Sequence, residues 1–455
     1  MIIILFIVLV LAGWPEVYLR VALTLIIAIL VIVLVQKVFD SSTKNVSSSN
    51  NTNDNNIKIK KGFRFFQFQY LSVYLIIMLA DWLQGTNMYT LYKSYDVDIG
   101  TLFLTGFLSS AVFGTFLGIY VDRWGRKLGC IIFCILEIVI NLLEHIPSMP
   151  ALIVGRILGG LSTSLLFSAF ESWMVSEHRK NGFDEELLSS TFAISSWGNG
   201  IVAIAAGIFA QVASDARGDI GPFQLAIFLT FVTLLVVLTW RENYGNEEGL
   251  SSITKSIATS AKVIKGDVSI LFLGLSQSFF EGAIYTFVFM WVPSMLQVTD
   301  NLPTGLVFSC FMLSMTLGGI LFSLLLPIFP YGAEGLTIFV YLTAAAAMAV
   351  PIFKFEFWWV FISFLVLEAM VGMFNSCGAI LRSRYYPEEL QSSIMSVFRL
   401  PLNLLVVLGT KLTDKANTIS SLKFVFGVIV IMHMIAFLLQ IALVANPLKA
   451  KRKIQ

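Results

Sequence analysis

The sequence predicts an all-α membrane protein built as two six-helix bundles in parallel repeat, and three observations carry that prediction. Hydrophobic residues make up 57% of the chain and charged residues 13%, against about 45–50% and about 25% in soluble domains. The apolar excess falls in blocks of roughly 20 residues, the helical length that crosses ~30 Å of hydrocarbon. Six blocks, a long charged loop and six more blocks then follow one another from Phe66 onward. Backbone groups in lipid have no water to bond, so blocks of this length can only be helices.

Residues 1–38 are an apolar segment ahead of the bundles. Residues 1–12 are too short to span and are interrupted by Gly13-Trp14-Pro15, whereas residues 21–38 are long enough. The second run lacks a small-residue cleavage site, so an extra N-terminal helix is expected rather than a signal peptide. Residues 39–65 form a linker, whose stretch 41–56 is rich in Asn and Ser with almost nothing to bury and whose remainder is basic. Asn45-Val46-Ser47 and Asn50-Asn51-Thr52 match the glycosylation pattern, which matters only in a lumenal segment.

The first bundle, 66–240, has blocks at 70–92, 99–120, 127–143, 151–173, 187–213 and 222–240. The inter-bundle loop, 241–268, is polar. The second bundle, 269–445, has blocks at 269–295, 303–327, 336–353, 357–381, 392–412 and 421–445, and a basic tail, 446–455, ends the chain. Lys and Arg concentrate on one side: Arg123, Arg126, Lys127, Arg179, Lys180, Arg241, Lys255, Lys262, Lys265, Arg382 and Arg384, with Lys58, Lys60, Lys61, Arg64 and the tail. That side is assigned to the cytoplasm, and the linker with it. The sequons then stay unmodified, and a spanning first helix puts the N-terminus outside.

The two halves show a weak internal repeat. Asp81 in the first block corresponds to Glu281 in the seventh, and Gly114 in the second to Gly318 in the eighth. Arg156 followed by Gly160 in the fourth corresponds to Glu368 followed by Gly372 in the tenth. Two parallel six-helix repeats with a site between them at mid-membrane describe the major facilitator architecture.

The sharpest local signal is Gly118-Ile119-Tyr120-Val121-Asp122-Arg123-Trp124-Gly125-Arg126-Lys127. It matches the G-x-x-x-D-R-x-G-R-K loop between the second and third helices of that superfamily. Gly118 permits close helix approach, and Asp122 can pair with Arg or Lys in one conformer and release it in another. Gly118, Asp122, Arg123, Gly125, Arg126 and Lys127 are therefore the candidate gate. The competing reading is a basic turn that only fixes topology.

Ionisable groups inside the blocks are Asp81, Glu137, Arg156, Glu281, Glu368 and His433, with Glu171 and Arg399 near helix ends. A charge at mid-bilayer costs at least ~2.5–3.5 kcal/mol on insertion scales, so it faces a partner or a wet cavity. Arg156 weighs most, because a guanidinium fork grips a tetrahedral oxyanion through two bonds. Its structural alternative is a salt bridge to Asp81. Asp81, Glu281 and Glu368 suit proton coupling or helix pairing. Gln84, Gln277, Asn199 and Asn375 are neutral polar groups that either touch substrate or glue helices. Glu137 and His433 read as packing or headgroup-facing groups without a function. Trp82, Tyr89, Tyr92 and Trp291 fit an interfacial belt. Cys130, Cys134, Cys310 and Cys377 lie in apolar blocks and read as packing residues.

The net charge of +2 gives no reason to expect a nucleic-acid partner. No P-loop, metal-ligand cluster or nucleophile beside a histidine stands in the sequence. No cofactor and no enzymatic activity are expected, and solute or ion gradients would drive transport.

Ala80-Asp81-Trp82-Leu83-Gln84-Gly85 resembles a signature of the molybdate-anion transporter family of the major facilitator superfamily. So does Gly155-Arg156-Ile157-Leu158-Gly159-Gly160 running into Leu165-Leu166-Phe167-Ser168-Ala169-Phe170-Glu171-Ser172-Trp173. Glu177-His178, Glu242-Asn243-Tyr244, Phe287-Val288-Phe289-Met290-Trp291 and Phe398-Arg399-Leu400-Pro401 resemble the family too. The resemblance implies molybdate uptake across the cell membrane, by a chain whose partners are that oxyanion and the bilayer; the sequence does not give the oligomeric state, and a monomer is expected. It also implies that Asp81, Trp82, Arg156, Gly159, Gly160, Glu171, Trp173 and Arg399 belong to the family signature. Thr86 departs from it, standing where relatives often carry proline, which puts the bend of the first bundle helix in question. Rival readings are a carrier of sulfate or an organic ion, and a membrane sensor that moves no solute.

Overall fold

The computed structural model describes residues 14–43, 54–244, 250–387, 390–414 and 418–446. Its elements, in chain order, are α1 Glu16–Thr43, α2 Asp54–Ser94, α3 Ile99–Trp124, α4 Arg126–Leu143 and α5 Met149–Leu166. They continue with α6 Ala169–Lys180, α7 Glu185–Arg217, α8 Gly221–Leu238, α9 Leu250–Gly266 and α10 Val268–Leu296. The last are α11 Thr304–Leu325, α12 Ala333–Phe353, α13 Phe357–Tyr385, α14 Gln391–Asp414 and α15 Ile419–Ala445. Among the described residues 11 helical stretches are long and apolar enough to cross a membrane. α4 is not among them, and it carries Arg126, Lys127 and Glu137. In α3 the qualifying apolar run is the shorter Ile99–Phe113.

Two compact units divide the chain. One holds α2 to α8 and the first residues of α11, Thr304–Ser309. The other holds α1 up to Gln36, α9, α10, the rest of α11 and α12 to α15. The core of the first is aromatic: Phe66, Tyr70, Phe133, Phe170, Trp173 and Trp240 are buried around Cys130 and Cys134. The second has a core cluster of Ile264, Ile270, Leu273, Leu381, Tyr385, Ile394 and Phe398. All four cysteines are free and buried, as packing residues are.

Within each unit the second and fourth spans approach through the same device. In the first, Ser109 Oγ of α3 donates to the Ile157 carbonyl of α5 at 2.6 Å. In the second, Ser314 Oγ of α11 donates to the Leu365 carbonyl of α13, also at 2.6 Å. A Cβ on Gly160 would strike Ser109 and the Ser110 backbone, and one on Gly372 would strike the Met315 carbonyl. Small residues let backbones touch, and hydroxyls bond across the contact; both suit a medium with no hydrophobic drive between helices.

Three local features differ from the sequence reading. The fourth block is two helices, broken at Phe167-Ser168. Thr163, Ser164 and Ser168 supply the reason: Ser168 Oγ bonds the Ser164 carbonyl at 2.7 Å, and the Phe167 amide reaches back to Thr163. Hydroxyls competing with the backbone in this way loosen a helix. The inter-bundle loop contains α9, which packs on α14 and buries Ser260 and Ile264. The first bundle helix starts at Asp54, inside the expected linker, and runs unbroken past Thr86, whose hydroxyl bonds the Leu83 carbonyl at 2.8 Å.

The extra N-terminal helix forms. Tyr18 of α1 meets the rings of Phe357 and Phe361 edge-on at 5.9 and 5.5 Å, and its carbonyl accepts from Cys310 Sγ. α1 therefore docks on α11 and α13 by its own start. Residues 1–13, and with them the expected short apolar run, lie outside the described residues, as do both sequons.

Gly372→Val should lower the melting temperature of the detergent-solubilised protein, since overpacking a close contact costs about 1–3 kcal/mol. Gly159→Ala should leave it unchanged, because a Cβ there meets nothing within 4 Å. Equal effects of the two substitutions would refute the close-approach account.

Candidate functional site

Charged and polar groups of the first unit gather on α2, α4 and α5. The Glu137 carboxylate accepts from Gln84 Nε2 at 2.9 Å and from Ser162 Oγ at 2.6 Å. Its carbonyl takes the Asn141 amide at 2.7 Å. Three helices are thereby joined at one buried carboxylate, which the sequence reading left without a role. Asp81 is exposed and lies in the electrostatic field of Glu137. Beside it Trp82 Nε1 donates to Asn199 Oδ1 at 2.9 Å, tying α2 to α7.

Two helical turns beyond Glu137, at the end of α4, stands Glu144, fully buried. Arg156 pairs with this residue and not with Asp81. Tyr92 donates its hydroxyl to the same carboxylate oxygen at 2.9 Å, and the guanidinium lies 5.7 Å from the Tyr92 ring centre. A second guanidinium nitrogen donates to Met88 Sδ at 3.1 Å. The Arg156 side chain is 12% exposed and that of Glu144 0%. Arg156 sits seven residues into α5, about 10 Å from the helix start. Glu144 escaped the sequence reading because it follows the third apolar block. Its place on the Glu137 face, seven residues on, was the available signal.

At the other end of the unit, Gly125 joins α3 to α4 with φ +124°, a conformation in which a side chain is strained. A Cβ there would also meet the Glu242 carboxylate at 2.7–2.9 Å. Glu242 caps α4, accepting from the amides of Lys127 at 2.8 Å and Leu128 at 3.1 Å. Lys127 Nζ returns to the Leu238 carbonyl at 2.9 Å, and the Arg126 amide bonds the Asn243 carbonyl at 3.0 Å. Trp173 stacks on Trp240 at 3.7 Å and donates to the Arg241 carbonyl at 2.8 Å, while Asn243 Nδ2 donates to the Trp173 carbonyl at 3.2 Å. Trp173 and Glu242-Asn243 thus form one clasp on the candidate gate loop. Arg123 is exposed, Glu171 is exposed on α6, and Gly159 faces open space. The side chains of Gly118 and Asp122 lie outside the described residues.

In the second unit Gln277, Glu281 and Tyr285 form a stripe along α10 at four-residue spacing. Gln277 is buried and accepts from an Arg382 guanidinium nitrogen at 3.2 Å. Glu281 is half-buried, in the field of Arg382 and Arg399. Glu368 is buried on α13 with no hydrogen bond or ion pair among the described residues, and Asn375 is exposed two turns along. Arg384 pairs with Glu334 at 3.1 Å. The candidates thus separate into an acidic set around one neutralised guanidinium and a second set that includes two guanidiniums without an ion pair among the described residues.

A family described as sugar transporters with 12 membrane spans matches residues 29–363. The molybdate-anion transporter of Xenopus laevis is 32% identical over 397 residues, 84% of this chain and 86% of its own. That of Takifugu rubripes is 31% identical over 433 residues, 85% of this chain and 88% of its own. Among solved structures the nucleoside transporter NupG superposes with a TM-score of 0.65 at 13% identity, covering 84% of this chain and 99% of NupG. That likeness fixes the fold.

Glu144→Gln leaves a buried guanidinium uncompensated, and losing one partner of a buried pair costs about 3–5 kcal/mol. The melting temperature should fall steeply, and the double change Glu144→Gln with Arg156→Met should recover part of the loss. A double variant as unstable as the sum of its singles would show the two groups to be uncoupled.

Proposed function

This chain belongs to the molybdate-anion transporter family of the major facilitator superfamily, and from that premise we propose that it carries molybdate into the cell by alternating access. That it is a multi-pass membrane transporter and no enzyme follows from its relatives and its fold. The cargo, the direction and the cell membrane as its residence are the proposal. One observation carries it: relatives that match more than four-fifths of the chain at 31–32% identity are molybdate-anion transporters.

A carrier of this class exposes one site first to one side and then to the other. Tightening and loosening at the ends of the helices accompany each exchange. The Glu242 clasp on Lys127 and Leu128 supplies a contact of that kind, because these two bonds join the start of α4 to the segment that follows α8. Asp81, Glu281 and Glu368 are the proposed coupling groups. None of the three has an ion-pair partner among the described residues, so each can gain or lose a proton without breaking one.

Cells expressing the chain should accumulate labelled molybdate above the level of empty-vector cells, and excess unlabelled sulfate should compete weakly. Accumulation equal to the control would sink the cargo. Asp81→Asn or Glu281→Gln should flatten the dependence of uptake on external pH, whereas an unchanged profile assigns that carboxylate to structure.

A further inference from the structure

The oxyanion carried under that reading needs a cation, and Arg156 is already neutralised by Glu144. Two other guanidiniums stand differently. Arg382 has one hydrogen bond, to the neutral Gln277, and no carboxylate partner among the described residues. Arg399 has neither hydrogen bond nor ion pair among them. Both lie in the field of a single carboxylate, Glu281.

The sequence brings these groups together through close helix packing. Phe398 of α14 fills the space that a Cβ on Gly274 would occupy, and Ser278 Oγ of α10 bonds the Phe398 carbonyl at 3.1 Å. Arg399, next in sequence, is exposed on α14. From α13, Arg382 reaches back over Gly378. A Cβ at that glycine would stand 3.1 Å from a guanidinium nitrogen and 3.3 Å from Gln277 Nε2. The amide nitrogen of Gln277 is buried and without a hydrogen-bond partner. Leaving a buried donor unsatisfied costs about 1–3 kcal/mol unless something accepts from it. A buried donor without a partner, beside a guanidinium that bonds the same amide, makes an acceptor-binding site.

We propose that Gln277 Nε2 and Arg382, side by side at Gly378 in the second unit, form a cradle for a tetrahedral divalent oxyanion, that Arg399 adds positive field to it, and that Glu281 offsets part of that charge. Arg382 supplies the planar fork and Gln277 a neutral donor. This inference rests on the molybdate reading for the identity of its ligand, but the cradle itself predicts oxyanion binding.

The test uses the full-length protein purified in detergent, with molybdate and tungstate as probes in calorimetry and wild-type uptake measured alongside. Arg382→Gln and Arg399→Gln should each weaken binding roughly ten- to hundredfold, the loss expected for a charge-assisted bond. Arg382→Lys should restore little, because it returns the charge without the fork. Gly378→Ala should weaken binding by crowding. Arg384→Gln, which removes a guanidinium already paired with Glu334, should bind like wild type. Melting curves identify any variant that is unfolded, and the remaining variants then decide. Wild-type affinity in the folded Arg382 and Arg399 variants overturns the cradle, as does a wild-type protein that binds neither probe. Molybdate uptake with unaltered binding in the variants would remove the cradle and keep the cargo. Tungstate binding that depends on Arg382, without molybdate uptake, would keep the cradle and remove the cargo.

Discussion

A polypeptide in hydrocarbon has to bond its own amides, and everything else in this molecule is arranged around that constraint. It makes each span a helix and removes the hydrophobic drive that would otherwise press helices together. Association then depends on close backbone contact and on polar bonds between spans. Ser109 with Gly160 in one unit, and Ser314 with Gly372 in the other, meet this need in the same way. Glu137 meets it differently, drawing donors from two neighbouring helices onto one carboxylate.

The same constraint makes buried charge informative. In the first unit Asp81, Glu137 and Glu144 stand against one guanidinium, and that guanidinium is engaged by Glu144, Tyr92 and Met88. Such a set suits holding helices and handling protons better than gripping a free anion. In the second unit Glu281 lies in the field of both Arg382 and Arg399, neither of which has an ion pair among the described residues. The two halves share an architecture and a packing device.

The clasp around Gly125 shows how a short motif acquires its role from distant residues. The loop is only a basic turn until Glu242, Asn243, Trp173 and Trp240 are placed around it. The α4 N-terminus then has a carboxylate cap supplied more than 100 residues away in sequence. Substitution at Glu242 or Trp173 would therefore be felt at the loop although neither residue belongs to it.

Composition and block length by themselves determined the class and the order of the helices, because the ~30 Å of hydrocarbon sets helix length regardless of neighbours. Asp81, Arg156, Gln277, Glu281 and Glu368 were legible as well, since a charge or amide in an apolar block is conspicuous wherever it points. Partners were not. That Arg156 meets Glu144 and not Asp81, that Glu137 is a hub, and that α1 docks by Tyr18 on Phe357 and Phe361 depended on how helices far apart in sequence are rotated about their axes. The break at Phe167-Ser168 was hidden for a related reason, because hydroxyls bond the backbone only once local geometry lets them. Hydropathy is a property of single residues and survives in the sequence; a hydrogen bond between two spans has a direction, which exists only after the helices have packed.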